Sequence, residues 1–343
     1  MTTASVLSCT TCQGLLGPDD HFCEACGEDT LRRGLPASGL RVGNDDGGGA
    51  GCAACEGVFG GTRPEYCLGC GTRQPAGRDH VEAHLPGLAA VSDRGRRHRR
   101  NEDAFAIARA PDGRILAVVC DGVSTTARPD EASRAAADAA LAAMLAPAGP
   151  NGDGDLDTAY LAARLAVHQI PREAEERTGA PSCTFLAAAV NGGNVRVASM
   201  GDSRAFWIPE AGEPQILTVD DSWAAEQVRE KSMTAEAARR DARSHSITRW
   251  LGGDAEPEWR PHRVGFRAAG RGRLVLCSDG LWNYADGAAD LASVLPAGDA
   301  LTVAGALVEW ANAQGGHDNV TVVILDVGHP VDGGHAQQRG PAR

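Results

Sequence analysis

The chain has 343 residues, of which 43% are hydrophobic, and a formal net charge of −12. This length suits two or three domains, and the apolar fraction is enough for a sizeable core. The acidic balance argues against a nucleic-acid or anionic-membrane surface, which would need a basic stripe. No stretch approaches the roughly 18 apolar residues of a membrane-spanning helix. Because the polar start also lacks a signal-peptide pattern, we expect a cytoplasmic protein.

The first part of the chain carries four Cys-x-x-Cys pairs in two similar units, predicted at 1–30 and 51–75. A Gly- and Asp-rich linker at 31–50 separates them. Each unit offers four thiolates at the spacing of a tetrahedral Zn²⁺ site. The candidate ligands are Cys9, Cys12, Cys23 and Cys26 in the first unit, and Cys52, Cys55, Cys67 and Cys70 in the second. Segments this short cannot build a core, so two structural zinc ions would provide most of their folding energy.

There are two alternatives to zinc binding by the cysteines, and one alternative to a protein partner for this segment. A disulfide framework would need a secretion signal, and a thioredoxin-like motif would need a βαβ context. The region is acidic and lacks interleaved basic and aromatic residues, which favours a protein partner for the zinc ribbons over nucleic acid. Salt-dependent binding of the isolated residues 1–80 to DNA or RNA would instead indicate a nucleic-acid-binding head.

A main domain is predicted over 88–327, after a second linker at 76–87. Its segment 92–101 is strongly basic and leads into the acids Glu102 and Asp103. A basic cluster beside acids is what an anionic substrate would need near a metal site. On composition alone, a solvated charged loop is the alternative.

The rest of this domain alternates groups of strands with helices. The predicted strands are 104–108, 115–120, 183–190, 194–200, 205–208, 274–277 and 320–327. The predicted helices are 131–145, 156–177 with a break at Pro171, and 301–313. A polar, mobile flap is predicted at about 220–247, and a disordered tail at 328–343. Because neighbouring strands are joined by hairpins, we predict an α+β fold of two antiparallel sheets with helices outside.

Three acids stand where apolar strands end or begin: Asp121, Asp279 and Asp318. Two carboxylates about 4 Å apart repel by roughly 4 kcal/mol at an effective dielectric near 20. They can therefore share a site only with a cation or with a proton on one of them. All-oxygen donors suit Mg²⁺ or Mn²⁺, and Gly122 lets its own carbonyl approach an ion. For any single Asp-Gly pair, an ordinary turn is the alternative.

Five motifs occur in the order and approximate spacing of a known family. They are Asn101-Glu102-Asp103, Asp121-Gly122, Gly201-Asp202-Ser203-Arg204, Ser278-Asp279-Gly280-Leu281-Trp282 and Gly316-His317-Asp318-Asn319-Val320-Thr321-Val322. Over about residues 88–327 the chain resembles the metal-dependent serine/threonine protein phosphatases, the protein phosphatase 2C-like class, in its bacterial form. The resemblance implies an α-β-β-α sandwich with a two-metal site between the sheets. It also implies phosphorylated proteins as substrates and a bacterial Ser/Thr kinase system as the opposing activity.

The resemblance further implies roles for individual residues. Asp121 would bridge two Mn²⁺ or Mg²⁺ ions, and the Gly122 carbonyl would bind one of them. Asp279 and Asp318 would hold the other ion, and Asp103, with Glu102, would act through bound water. Asp202 matches an acid linked to a third, weaker ion. The metals would activate a water that hydrolyses phosphoserine or phosphothreonine without a covalent intermediate.

Two positions depart from the family pattern. Many members carry a phosphate-binding arginine where this chain has His98, so His98 and its neighbours Arg97 and Arg99 are the candidates for phosphate binding. Some members have a histidine directly after Asp-Gly as proton donor, where this chain has Val123. Water or His98 would then serve. A catalytically silent module that binds phosphopeptides, or acts as a scaffold, is therefore the alternative to an active enzyme.

Overall fold

The computed structural model describes residues 7–8, 15–16, 67, 69–70, 78–146, 154–171, 179–285 and 287–328. Within residues 1–40, these include two short strands, β1 (Leu7–Ser8) and β2 (Leu15–Leu16), which pair antiparallel. Most of the predicted zinc ligands lie outside the described residues, as do the linker 31–50 and residues 329–343 of the predicted tail. These ligands are Cys9, Cys12, Cys23, Cys26, Cys52 and Cys55.

The remaining strands belong to the main unit. They are β3 (His80–Leu85), β4 (Leu88–Asp93), β5 (Asp103–Arg109), β6 (Ile115–Asp121), β7 (Ser182–Cys183), β8 (Phe185–Asn191), β9 (Asn194–Met200), β10 (Arg204–Pro209), β11 (Gln215–Ile216), β12 (Leu251–Gly252), β13 (His262–Arg267), β14 (Gly272–Cys277) and β15 (Val320–Val327). The first sheet has the order β11-β10-β14-β15-β4-β3, and the second has the order β13-β9-β8-β6-β5. Neighbouring strands are antiparallel in both, as predicted.

The helices lie in three groups along the chain. They are α1 (Pro129–Leu145), α2 (Gly154–His168), α3 (Trp223–Arg229), α4 (Ala235–Arg240), α5 (Asp279–Trp282), α6 (Ala288–Val294) and α7 (Ala300–Gln314). None of the helices in the described part of the chain has the length and apolarity needed to cross a bilayer.

The two sheets stack face to face, with helices on their outer faces. Val119 of the second sheet packs in one apolar cluster with Leu276 and Val323 of the first. Its neighbour Val118 lies instead in a cluster with α1 and α2, because successive side chains of a strand point to opposite faces. A third cluster joins the first sheet to α5, α6 and α7 through residues such as Val322. The predicted layering, an α-β-β-α sandwich, is confirmed.

The structure differs from the sequence-based elements mainly at the edges of the sheets. Strand β3 lies within the stretch predicted as a linker, 76–87, and strands β4 and β13 were not predicted. Strands β3 and β13 are edge strands with few buried side chains, so neither has the continuous apolar run of a covered strand. Strand β4 is an inner strand, and its short buried run Leu88–Val91 leads directly into the basic segment. The predicted helix 156–177 ends at His168, before Pro171, because proline disfavours the helical conformation of the residue that precedes it.

The predicted flap, 220–247, contains the two short helices α3 and α4. Ser222 caps the first, since its side chain accepts a hydrogen bond from the backbone N–H of Ala225. Thr234 caps the second in the same way through Ala237. Each cap satisfies an N–H that has no partner inside its helix.

Candidate active site

The predicted acids lie at one end of the sandwich, where strands of both sheets begin or end. Asp103 begins β5 and Asp121 ends β6, and the antiparallel register places these two residues directly opposite each other. In the first sheet, Asp279 follows β14 and Asp318 precedes β15. These two strands are antiparallel neighbours, so the two acids lie at the same sheet end. Asp202 lies in the turn that crosses from β9 to β10. The predicted acids are therefore brought together.

The electrostatics of these carboxylates show that they act on one another. Burial raises the pKa of Asp121 well above its usual value, and the charges of Asp103, Asp279, Asp318 and Asp202 raise it further. Burial also raises the pKa of Asp279, and the charges of Asp202, Asp318 and Asp103 raise it further. Burial raises the pKa of Asp103 to about 6, while hydrogen bonds from hydroxyl groups act in the opposite direction. The negative charge of this cluster must therefore be removed by protons or balanced by cations.

Asp103 and Asp279 each present a buried oxygen toward this cluster. The Oδ2 atom of Asp103 accepts hydrogen bonds from Ser278 Oγ and Thr321 Oγ1, both at 2.7 Å. Its Oδ1 atom is buried and has no hydrogen-bond partner among the described residues, and the same is true of Asp279 Oδ1. The Oδ2 atom of Asp279 accepts from Asn283 Nδ2 at 3.2 Å. Buried carboxylate oxygens without a donor are the atoms that a cation would use.

The donor set suits a hard divalent cation, because it consists of carboxylate and carbonyl oxygens. Among the described residues, no group of three acidic, histidine or cysteine side chains already converges closely enough to hold an ion. Carboxylates about 4 Å apart repel by roughly 4 kcal/mol at an effective dielectric near 20. The residues fit Mg²⁺ or Mn²⁺ on this basis.

Gly122 occupies a position that no other residue could fill. A Cβ atom there would lie 2.5 Å from the Pro129 carbonyl oxygen and 2.7 Å from that of Glu102. The Gly122 N–H donates to the Glu102 carbonyl at 3.1 Å, which fixes the turn after β6. The Glu102 side chain is engaged elsewhere, since it accepts hydrogen bonds from Ser124 Oγ and Arg100 Nε.

The turn that carries Asp202 is tied to both sheets. Burial raises the pKa of Asp202 to about 7, the charge of Asp220 raises it further, and the charge of Arg204 lowers it. Arg204 Nη2 lies 2.6 Å from Asp220 Oδ2, and its guanidinium stacks 3.6 Å above the centroid of the Trp282 ring. The Trp282 indole N–H donates to the Asp202 carbonyl at 2.9 Å. Asp202 is thereby held beside α5, which begins with Asp279.

Comparison with known proteins identifies the family. Residues 94–310 match the family model described as Protein phosphatase 2C. This segment is more than half of the chain.

The chain belongs to the protein phosphatase 2C family.

Two curated members of the protein phosphatase 2C family illustrate the relationship. The chain is 32% identical over 245 residues to the serine/threonine protein phosphatase PstP of Mycobacterium tuberculosis, a match that covers 70% of this chain but 44% of PstP. It is 27% identical over 239 residues to the serine/threonine phosphatase stp of Listeria innocua, with 68% of this chain and 93% of stp covered. The match thus spans less than half the length of PstP.

A solved structure in the same family shares the fold. The catalytic domain of PstP in complex with two manganese ions aligns with a TM-score of 0.59 and 30% identity, over 70% of this chain and 97% of that chain. The two stacked antiparallel sheets with outer helices described above are thus the fold of this family, as the resemblance implied. The expected bacterial type of the family is also confirmed.

The two departures from the family pattern can now be placed. His98 Nε2 lies 3.1 Å from Asp318 Oδ1, so His98 stands beside the predicted metal ligands. Arg97 and Arg99 are exposed on either side of it. Val123 follows Gly122, and its backbone N–H donates to the Ser182 carbonyl at 2.9 Å. Its apolar side chain offers no proton to a leaving group.

Three supporting residues were not predicted from the sequence. Ser278 and Thr321 orient Asp103, as described above. Asn319 joins three segments: its Oδ1 atom accepts from the Glu102 N–H at 2.7 Å, and its Nδ2 atom donates to the carbonyls of Arg94 and Arg100. All three lie inside motifs quoted above, directly beside an acid or a strand start. That position was the available signal.

Of the predicted zinc ligands, the described residues include Cys67, which is buried, and Cys70, which is exposed. The backbone N–H of Gly69 donates to Cys67 Sγ at 3.4 Å. The zinc sites themselves stay a prediction.

Proposed function

We propose that the chain is a metal-dependent protein phosphatase that hydrolyses phosphoserine and phosphothreonine in proteins. The observation that carries this proposal is the group of aspartates at one end of the sandwich, whose charges raise the pKa of Asp121. Membership of the family supports it, and so do the relatives named as serine/threonine phosphatases. The manganese ions in the related catalytic domain support the choice of cation.

In this proposal, Asp121 and the Gly122 carbonyl would help to hold Mn²⁺ or Mg²⁺ ions, with Asp121 shared between two of them. Asp279 and Asp318 would hold the second ion, Asp103 would act through water, and Asp202 would hold a third, weaker ion. When bound, such ions acidify a water and neutralise the phosphoryl oxygens. The buried Oδ1 atoms of Asp103 and Asp279, which accept no hydrogen bond within the described residues, support their part in this set.

The residues around the acids would orient these ligands and the substrate. Ser278 and Thr321 hold one oxygen of Asp103 and so direct the other toward the cluster. His98, with Arg97 and Arg99, would bind the phosphate. Because Val123 cannot donate a proton, water or His98 would protonate the leaving alcohol.

Turnover by the purified chain tests the proposal. With excess Mn²⁺ we expect hydrolysis of a phosphothreonine peptide and of an aryl phosphate, lost on chelation and restored by Mn²⁺. Asp279→Asn should lower kcat by at least about a hundredfold, because it removes a charged ligand, while circular dichroism shows a folded chain. Asp290→Asn, at an exposed position of α6, is the matched control and should retain activity. A folded wild-type chain without turnover would contradict the proposal.

For the cysteine-rich segment, we propose two structural Zn²⁺ ions and contact with a protein partner. The four-cysteine spacing supports the zinc. A cytoplasmic location and a bacterial Ser/Thr kinase as the opposing enzyme complete the proposal. The location is the one expected from the sequence, and the opposing kinase is what the family resemblance implies.

A catalytically silent phosphopeptide-binding module is the second candidate. Two observations favour it: His98 lies against an oxygen of the predicted ligand Asp318, and Val123 stands where a proton donor could be. Calorimetry separates the candidates. A silent module would bind a phosphopeptide without turning it over, or would bind no Mn²⁺.

A further inference from the structure

Both ends of the basic loop, residues 94–100, are hydrogen-bonded at the end of the sandwich that carries the aspartates. The Asn319 Nδ2 atom donates to the Arg94 carbonyl at 2.8 Å and to the Arg100 carbonyl at 3.1 Å. One buried amide therefore holds the start and the end of the loop. Arg94 also donates a hydrogen bond across the loop to the His98 carbonyl.

The middle of the basic loop lies against the segment that carries Asp318. The Arg96 N–H donates to the Gly316 carbonyl at 2.7 Å. A Cβ atom on Gly95 would lie 2.1 Å from the Asp318 carbonyl oxygen, and the φ angle of Gly95 is +72°. Only glycine permits this close approach. The loop therefore forms part of the edge of the proposed site.

The arginines of the loop fall into two groups. Arg94 lies 3.5 Å from Asp79, and Arg100 lies 3.0 Å from Glu102. Their charges are therefore balanced within the fold. The exposed residues Arg96, Arg97 and Arg99 form no ion pair with an acid in the described part of the chain.

We propose that Arg96, together with Arg97 and Arg99 where they reach past the phosphate that they would contact with His98, binds acidic groups that flank the phosphorylated residue of the substrate. The preferred substrates would be protein segments with Glu, Asp or a second phosphate near the phosphate that is removed. The inference rests on the proposed phosphatase function and extends it to the substrate class.

The chemistry of the three side chains supports this assignment. Guanidinium groups bind carboxylates and phosphates through paired hydrogen bonds. A phosphoryl group that the proposed cations already neutralise would leave guanidinium charge over for other acidic groups of the substrate. A local positive surface on a chain of net charge −12 also attracts an acidic segment to this edge rather than elsewhere.

Two phosphothreonine peptides that differ only by Glu or Gln at the flanking positions test the inference on the full chain with Mn²⁺. We expect kcat/KM to be about tenfold higher for the Glu peptide at low salt, since each exposed pair contributes a small factor. The difference should lie in KM and should shrink at high salt, because exposed charges are screened.

The triple variant R96Q/R97Q/R99Q should bring the Glu/Gln ratio to about 1, whatever its absolute rate, and the single Arg96→Gln variant should lower the ratio about twofold. Arg267→Gln is the matched control. Arg267 is exposed and lies opposite Asn194 in the β13–β9 strand register. It is therefore roughly 20 Å along the strand from the Asp202 turn. It should keep the wild-type ratio.

A wild-type ratio near 1 would overturn the inference, and so would a ratio that the triple variant leaves unchanged. If the triple variant does not fold, the single variant decides in the same way. If the arginines only balance the acids of the site, the triple variant would change the turnover of aryl phosphate and leave the Glu/Gln ratio unaltered. That result would also overturn the inference. Loss of all turnover by the folded wild-type chain would instead contradict the phosphatase function.

Discussion

At Asp202, the fold buries a carboxyl group whose charged form burial disfavours. Burial raises its pKa from 3.8 to about 7. An acid whose pKa is raised on folding binds its proton more tightly in the folded chain. Stability is therefore lost as the pH rises through the interval between the unfolded and folded values, and it changes little above pH 7. The charge that an ion would use is a cost to the fold without that ion.

Asp202→Asn should reveal this cost when stability is measured in EDTA. The variant removes the buried charge but keeps the shape of the side chain. We expect its stability relative to wild type to increase between about pH 4 and pH 8, by on the order of 4 kcal/mol in the limit. Thermal unfolding of both proteins across this range measures it. An identical difference in stability at both ends of the range would show that Asp202 is not buried as described.

At the scale of elements, one carboxylate joins the ends of the predicted flap to the Asp202 turn. Asp221 is buried, and its Oδ2 atom accepts from the Gly201 N–H at 3.1 Å. Its Oδ1 atom lies 2.9 Å from His262 Nε2 and 3.3 Å from Arg249 Nη1. Its carbonyl accepts from the Thr248 N–H at 2.8 Å. The helices α3 and α4 are thus anchored at both ends beside the proposed site.

Asp221→Ala should release this segment. Losing the hydrogen bonds to this buried carboxylate should cost about 2 kcal/mol of stability, since the partners are partly exposed and can regain water. Amide exchange should become faster at 222–247, and the affinity of the proposed third ion should fall. Glu230→Gln, at an exposed position in the same segment, is the control and should leave exchange unchanged. Equal exchange in wild type and Asp221→Ala would contradict the anchoring role.

At the scale of the whole molecule, the covered strand β6 could be predicted from sequence, whereas the edge strands β3 and β13 could not. Strand β6 is a continuous apolar run because Val118 and Val119 face different buried clusters. In β3 the buried residue is Ala83, and in β13 side chains such as Arg263 are exposed. A strand with solvent on one side and at its edge has no such run, so its sequence looks like a linker or a loop.

The same limit applies to the site. Its aspartates could be predicted because each stands in a motif at a strand end. The partners that orient them could not, because Thr321 meets Asp103 and Asn319 meets Glu102 only after distant segments fold together. The altered phosphate-binding position, His98, could be identified from sequence. Its contact with Asp318 is a feature of the tertiary structure.

The cysteine-rich segment gives a prediction for the whole chain. Two four-thiolate sites should hold two zinc ions per chain, counted by elemental analysis of purified protein. Cys67→Ser should lower the count by one, because three thiolates bind the ion less tightly. Cys120→Ala, which changes a buried cysteine of the main core, should leave the count at two. A chain without zinc would show that the spacing serves another purpose.

The acids of the site are supplied by two separate layers, with Asp103 and Asp121 on one sheet and Asp279 and Asp318 beside the other. In the proposed metal site, the binding energy of an ion shared between them would depend on how far one layer can slide across the other. The side chains that resist this sliding are those packed between the sheets, such as Leu276 and Val323. The dissociation constant of the proposed ion would therefore be partly a property of interlayer packing, and evolution could adjust it without altering a single ligand.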